Sequence, residues 1–213
     1  MKDLFLHYGC GLDAPKDWLN YDASPTLRIQ KTAVIGTLFK KRLNVEFPAN
    51  VLYGDIVKGI NLPDNSCAGI YCSHVLEHLA LNEFRVALKN TFKLLKPGGI
   101  FRCVVPDVEI LAKKYLEEIS TNKSPIASIT FMEDSHLGIK NSLRGIKGLV
   151  LKSFGRGGHH LWMWDHYSLK KELEDAGFIR IRTCAFNDCE ESMFSKVENK
   201  HRFIESVAIE SRK

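Results

Sequence analysis

No two of the six cysteines, at positions 10, 67, 72, 103, 184 and 189, form a Cys-x-x-Cys pair. That removes the usual sequence grounds for a zinc knuckle or a dithiol redox motif, and predicts reduced, mostly buried thiols. Long apolar runs are missing too. The opening Met1-Lys2-Asp3-Leu4-Phe5-Leu6 has no secretory core, and no later stretch reaches the length of a membrane span. A cytoplasmic chain without a membrane span is therefore expected. Low-complexity tracts and internal repeats are absent, which excludes fibrous, solenoid and linker-like classes. At 45% apolar and 26% charged, the 213 residues suit one globular domain, 1–213. The net charge of +5 leans mildly toward anionic partners and gives no ground for a DNA partner. RNA is disfavoured as well, because the basic stretch lacks aromatics arranged as a stacking platform. Nothing in the sequence indicates an oligomeric state.

What is present is an alternation of short apolar runs with helical patterns, the signature of parallel strands joined by crossover helices. Strands are predicted at 4–8, 18–21, 51–53, 69–73 and 100–105. The strongest helix carries Leu81, Phe84, Leu88, Phe92 and Leu95 at three- and four-residue steps, with Asn82 as the expected N-cap and Pro97-Gly98-Gly99 as its stop. Further helices are predicted over 108–119 and 169–176. Two late alternating segments, 178–186 and 203–211, are expected to pair antiparallel at the sheet edge. Residues 120–165 match no strand-helix unit. They carry Lys123, Lys140, Arg144, Lys147, Lys152 and Arg156 against Glu133 and Asp134 up to residue 164, six minus two or +4. This reads as a basic, lid-like insertion over the carboxyl ends of the strands.

The first strand runs into Gly9-Cys10-Gly11-Leu12-Asp13-Ala14, which satisfies the G-x-G-x-x-[GA] dinucleotide pattern. In a nicotinamide site an acid lies about 20 residues further on, after a helix whose N-terminus holds the pyrophosphate. Here Asp22 follows Gly11 by only eleven positions, with Pro15 and a strand in the gap. The spacing suits a ligand with a ribose and no pyrophosphate: a close-approach glycine turn, Asp22 for the ribose hydroxyls, and Asp55 after the third strand for the adenine. S-adenosylmethionine answers that description.

The stretches "LHYGCG", "WLNYDASP", "LYGDIVKGINLPDNSCAGIYCSHVLEHL", "LLKPGGIFRCVVPD" and "HHLWMWDHYSLKKELEDAGF" resemble class I S-adenosylmethionine-dependent methyltransferases over most of the chain. The resemblance implies a Rossmann-like α/β fold: a seven-stranded, mostly parallel sheet with an antiparallel last strand. It implies that Gly9, Cys10 and Gly11 form the turn under the methionine part and that Asp22 accepts from the ribose. Asp55 and the Ile56 backbone would face the adenine, and Ser73 and His74 would flank the sulfonium end. The sequence departs from the family pattern in two places. No acid precedes the glycine turn, where Leu6-His7-Tyr8 stands, and the first crossover helix is nearly deleted. That shortened crossover looks like small bacterial methyltransferases linked to surface-polysaccharide synthesis.

Methyl transfer to a hydroxyl is helped by a general base, and a neutral histidine is the usual one. His74, His78, His159, His160 and His166 are candidates, with Asp107 and Asp165 as possible carboxylate partners. His160 is expected as the base, His74 and Asp107 as further catalytic positions, and Trp162 as an apolar or sugar-stacking wall. No metal is expected, because the His159-His160 pair lacks a third ligand at helical spacing. The reading is an S-adenosylmethionine-dependent methyltransferase acting at oxygen on a small or glycan-type acceptor, with a phosphate on the acceptor suggested by the basic insertion. Two rivals stay open: a non-catalytic S-adenosylmethionine-binding or regulatory protein of the same fold, and an NAD-dependent oxidoreductase.

Overall fold

The apolar runs and helical patterns assemble into a seven-stranded sheet in the computed structural model, which describes residues 3–32, 46–140 and 159–213. Strands β1 (Leu4–Tyr8), β2 (Leu19–Asp22), β3 (Val51–Tyr53), β4 (Cys67–Ser73) and β5 (Leu95–Pro106) pair in parallel. Strand β7 (Ser206–Arg212) runs antiparallel between β5 and β6 (Ile179–Thr183), giving the order β3-β2-β1-β4-β5-β7-β6. The two central strands read almost continuously apolar because both of their faces are covered, and six of the seven residues of β4 are buried. The expected Rossmann-like fold with its antiparallel last strand is the one observed.

Between β1 and β2 the chain makes turns and no helix, so the first crossover is short, as predicted. The helices are α1 (Pro25–Gln30), α2 (Leu81–Leu94), α3 (Val108–Ser120), α4 (Ala127–Asp134) and α5 (His166–Asp175). On α2, Phe84, Ala87, Leu88, Thr91 and Leu94 are buried at helical spacing against the sheet. Its N-cap is Ala80 rather than the predicted Asn82: Glu83 reaches back to accept from the Ala80 N–H at 3.1 Å, which stands in for a capping side chain. Pro97-Gly98-Gly99 is also more than a stop. Strand β5 begins directly after α2, and residues 96–99 bulge out between the pairs Cys67↔Leu95 and Gly69↔Ile100. Gly98, at φ +77°, supplies the left-handed step.

Two further expectations change. Part of the 120–165 segment is regular, since α4 packs beside α3 with Tyr115 and Phe131 in ring contact at 5.6 Å. Arg144, Lys147, Lys152 and Arg156 lie outside the described residues. Helix α5 starts three residues earlier than predicted because Asp165 is its N-cap, accepting from Ser168 N at 2.7 Å. Asp165 is thereby committed to the helix rather than to a histidine. The paired tryptophans divide: Trp164 is buried against Phe84 with ring centroids 4.1 Å apart, and Trp162 is exposed. Among the described residues no helix is long and apolar enough to cross a membrane. Four of the cysteines are buried and all six are free thiols.

His7, on β1, is buried between Trp18 and Tyr71. Desolvation, with the Arg202 charge adding to it, holds its pKa down at about 3. The unfolded chain takes that proton near 6.5, so below that pH the unfolded state binds more protons than the native one. Stability is full above pH 6.5 and is lost as pH falls toward 3. Between pH 7 and pH 5 the loss from this group is about 2 kcal/mol. Urea unfolding of the native protein and of His7→Gln at both pH values checks this, and the variant should lose less stability on acidification.

Candidate active site

The carboxyl ends of β1, β2, β3 and β4 frame a cavity of about 360 Å³, within the size range of small-molecule sites. Gly9 closes its floor at φ +65°, a left-handed conformation, and a Cβ placed there would come within 2.2 Å of Val75 Cγ2. The turn therefore admits glycine alone at this position, with Val75 packed against it. Opposite stands Asp22, mostly buried at the end of β2. Its Oδ2 accepts from Gly11 N at 3.0 Å and its Oδ1 from Ser24 N at 2.8 Å. A carboxylate oxygen has two lone pairs, so each keeps one for a ribose hydroxyl. Asp55 turns the chain after β3, its Oδ1 accepting from Val57 N at 2.9 Å. These features fit S-adenosylmethionine: a glycine turn on the cavity floor, an acid anchored by two backbone N–H groups with lone pairs to spare, and a second acid after the next strand. With no helix between Gly11 and Leu19, the helix N-terminus that a pyrophosphate requires is missing from this turn.

On the β4 side, His74 (φ 54°) and His78 line the same cavity. His74 Nε2 lies 2.9 Å from the Arg202 carbonyl, and its Nδ1 lies 3.4 Å from Glu77 Oε1. His78 Nδ1 lies 3.0 Å from the His159 carbonyl, and its Nε2 lies 3.9 Å from Glu77 Oε1. Glu77 is fully buried in the short 3-10 turn Leu76–His78. His160 packs behind, with its ring 5.1 Å from that of His78 and 5.0 Å from that of His136. Burial pushes the His160 pKa down; Glu77 opposes this, and the neighbouring His78 and His136 add to it.

Of the residues expected at the site, Gly9, Asp22, Asp55, Ile56 and His74 line the cavity. Gly11 acts one step back, through its N–H on Asp22. Cys10 faces the other way, into a small cluster with Leu27, Phe47 and Val51, where burial and the Asp22 charge raise its thiol to about 12. Ser73 is buried, and its Oγ has no hydrogen-bond partner among the described residues. Asp107 caps α3, its Oδ1 accepting from Glu109 N at 2.8 Å, and it is not a lining residue. His160 belongs to the histidine cluster rather than to the cavity wall. Glu77 is the residue missed by pattern. Its one signal is an acid flanked by two histidines inside an otherwise apolar run, Ser73 to Leu79.

A family model described as a methyltransferase domain matches residues 15–181. No curated protein matches the chain. Among solved structures, the chain is similar to an S-adenosylmethionine-dependent methyltransferase from Thermotoga maritima described as a possible histamine N-methyltransferase. Identity is 16%, over 100% of this chain and 83% of that one, with a TM-score of 0.48. It is also similar to a methyltransferase from Methanosarcina mazei, at 16% identity over 99% and 92% of the two chains, with a TM-score of 0.48. A third likeness is to a methyltransferase from Archaeoglobus fulgidus, at 16% identity over 99% and 86%, with a TM-score of 0.47. At these identities none of the three bears on the acceptor.

Proposed function

The chain belongs to the family of methyltransferase-domain enzymes, and on that premise we propose that it methylates an oxygen of a small or glycan-type acceptor. S-adenosylmethionine is the methyl donor, and when bound it supplies a methyl group on a sulfonium that leaves as a neutral thioether. The chain's own part is to hold and orient. Asp22 fixes the ribose end, Gly9 lets the ligand lie against the backbone, and Asp55 with Ile56 bounds the adenine end. Aligning two reactants in this way supplies on the order of 7–11 kcal/mol.

The observation that carries the oxygen reading is the pair His74 and His78 on the cavity wall with the Glu77 carboxylate buried between them. A hydroxyl is a poor nucleophile until it sheds its proton, and a positioned base contributes roughly 10²–10⁴ in rate. With Nε2 held by the Arg202 carbonyl, Nδ1 is the His74 nitrogen left to take that proton, and Glu77, 3.4 Å from it, offsets the charge the imidazole gains. The bound donor would supply the methyl group and leave as the thioether, and the histidine would hold the proton that the acceptor hydroxyl gives up. His160, which the sequence pattern favoured as base, sits one layer further from the cavity. Asp107 serves the same end indirectly by fixing the start of α3 beside β5. The basic residues of the 120–165 segment support a phosphate-bearing acceptor, and the resemblance carried by the short first crossover supports a place in surface-polysaccharide synthesis in the cytoplasm. Neither feature favours DNA or RNA.

Incubation with methyl-¹³C S-adenosylmethionine and a panel of sugars, with and without linked nucleotide or lipid phosphates, tests the reading. The ¹³C shift of the product should be that of a methyl ether. A methyl found on nitrogen or carbon would overturn the oxygen assignment. Cofactor binding with no transfer to any acceptor would favour a binding or regulatory role for the fold.

A further inference from the structure

Several hydrogen-bond acceptors converge beside the cavity with no hydrogen between them. Glu77 is fully buried, and neither of its oxygens has a hydrogen-bond partner among the described residues. A carbonyl can only accept, so the His78 Nδ1 that faces the His159 carbonyl carries the proton. His78 Nε2, 3.9 Å from Glu77 Oε1, is then a bare lone pair. His74 is held in the same way through its other nitrogen. Its Nε2 donates to the Arg202 carbonyl, leaving the Nδ1 lone pair 3.4 Å from the same Oε1. His160 adds a buried Nδ1 with no partner among the described residues. Lone pairs turned on a buried carboxylate repel it, and a proton shared within the cluster or a metal ion in its midst removes that repulsion.

The spacing favours the ion. Glu77, His78 and His160 each offer one ligand atom, all within 4.8 Å of one another. Zinc-class ions bind imidazole and carboxylate at about 2.0–2.2 Å, which sets tetrahedral ligand atoms about 3.3–3.5 Å apart. Closing the set takes up to about 1.5 Å per pair, within reach of side-chain torsions. The His78 Nδ1–H on a backbone carbonyl is the outer contact that orients a metal-bound imidazole. Two histidines and one carboxylate are also the donor set of zinc sites that keep one position open.

We propose that Glu77, His78 and His160 bind one divalent transition-metal ion of the zinc class beside the cavity that His78 lines. The open position takes a water or, if the oxygen-methylation reading holds, the acceptor's hydroxyl. In that case His160 acts as a ligand rather than as a base, and the partners His159 and Arg202 acquire a purpose: their carbonyls set which nitrogen of each ring faces the site.

The full chain, stripped with a chelator and titrated with Co²⁺ alone, tests this. One ion per chain is expected, with the visible absorption of a four-coordinate nitrogen and oxygen set and no sulfur charge-transfer band. Glu77→Gln and His160→Ala should each weaken Co²⁺ at least tenfold, with His78→Gln as a further variant whose side chain is partly exposed. S-adenosylhomocysteine binding by the same samples reports folding and separates the two claims. Cobalt bound without S-adenosylhomocysteine would remove the cofactor reading and leave the metal site standing, and the reverse result would remove the metal. The proposal is overturned if the folded native chain takes up no Co²⁺, if the ion shows a thiolate band, or if the variants bind it as tightly as the native protein.

Discussion

Asp22→Ala should lose nearly all of the rise in Tm that S-adenosylhomocysteine gives the native protein. A ligand at a hundred times its Kd adds about 2.7 kcal/mol to the folded state. For a chain of this size that is a rise of roughly 5–10 °C. Asp22 holds the end of β2 against Gly11 and Ser24 through one lone pair on each oxygen, which leaves a second pair on each for the ribose hydroxyls that the proposed function assigns to it. Hydrogen bonds to a charged group are worth about 1.5–3 kcal/mol each. Losing two raises Kd by at least about a hundredfold, so at the same ligand concentration the gain falls to about 0.4 kcal/mol or less. The unliganded variant is also less stable, because two backbone N–H groups exchange a carboxylate for water. The quantity to read is therefore the difference between liganded and free protein for each chain. A variant that keeps the native rise would place the ribose elsewhere.

Gly9→Ala should cost about 2–5 kcal/mol of stability. At φ +65° an L side chain is strained by about 1–2 kcal/mol. The new Cβ also meets Val75 Cγ2 at 2.2 Å, and overpacking of that kind costs about 1–3 kcal/mol. Gly11 is the internal comparison. Its φ is +57°, but no atom lies within 4 Å of where its Cβ would be, so Gly11→Ala should cost the dihedral strain alone, about 1–2 kcal/mol. Adding Val75→Ala to Gly9→Ala should recover part of the packing loss, a coupling of about 1–3 kcal/mol in a double-mutant cycle. Urea unfolding of the native chain, the single variants Gly9→Ala, Gly11→Ala and Val75→Ala, and the Gly9→Ala/Val75→Ala double variant measures all of this. Equal losses at Gly9 and Gly11 would mean that Val75 does not press on the turn.

What could be read in the sequence follows from the range over which each signal acts. The β4-α2-β5 unit was legible because apolar runs and a 3.6-residue period are local, as was Asp22, an acid at the end of a second strand with no room before it for a phosphate-binding helix. Helix starts were less legible. Ala80 caps α2 through a glutamate three residues on, and Asp165 looked like a histidine's partner until its place at the start of α5 was seen. Cys10 sits between two site glycines, yet its side chain packs on Leu27, Phe47 and Val51, because a turn reverses which way neighbouring residues point. The histidine cluster was the least legible of all. Helical spacing from His159 and His160 offers no third ligand, whereas the partners of His160 come from Glu77 and His78, more than eighty positions earlier. The packing of the 3-10 turn against the segment before α5, through the Leu161 and Trp162 N–H groups on the Glu77 carbonyl and His78 Nδ1 on the His159 carbonyl, brings them together.

The most direct test is calorimetric titration of the unmodified protein with S-adenosylhomocysteine and, separately, with NAD. A cavity framed by Gly9, Asp22 and Asp55, with no helix after the glycine turn, predicts one S-adenosylhomocysteine per chain and no heat from NAD. Saturable binding of NAD with none of S-adenosylhomocysteine would contradict it.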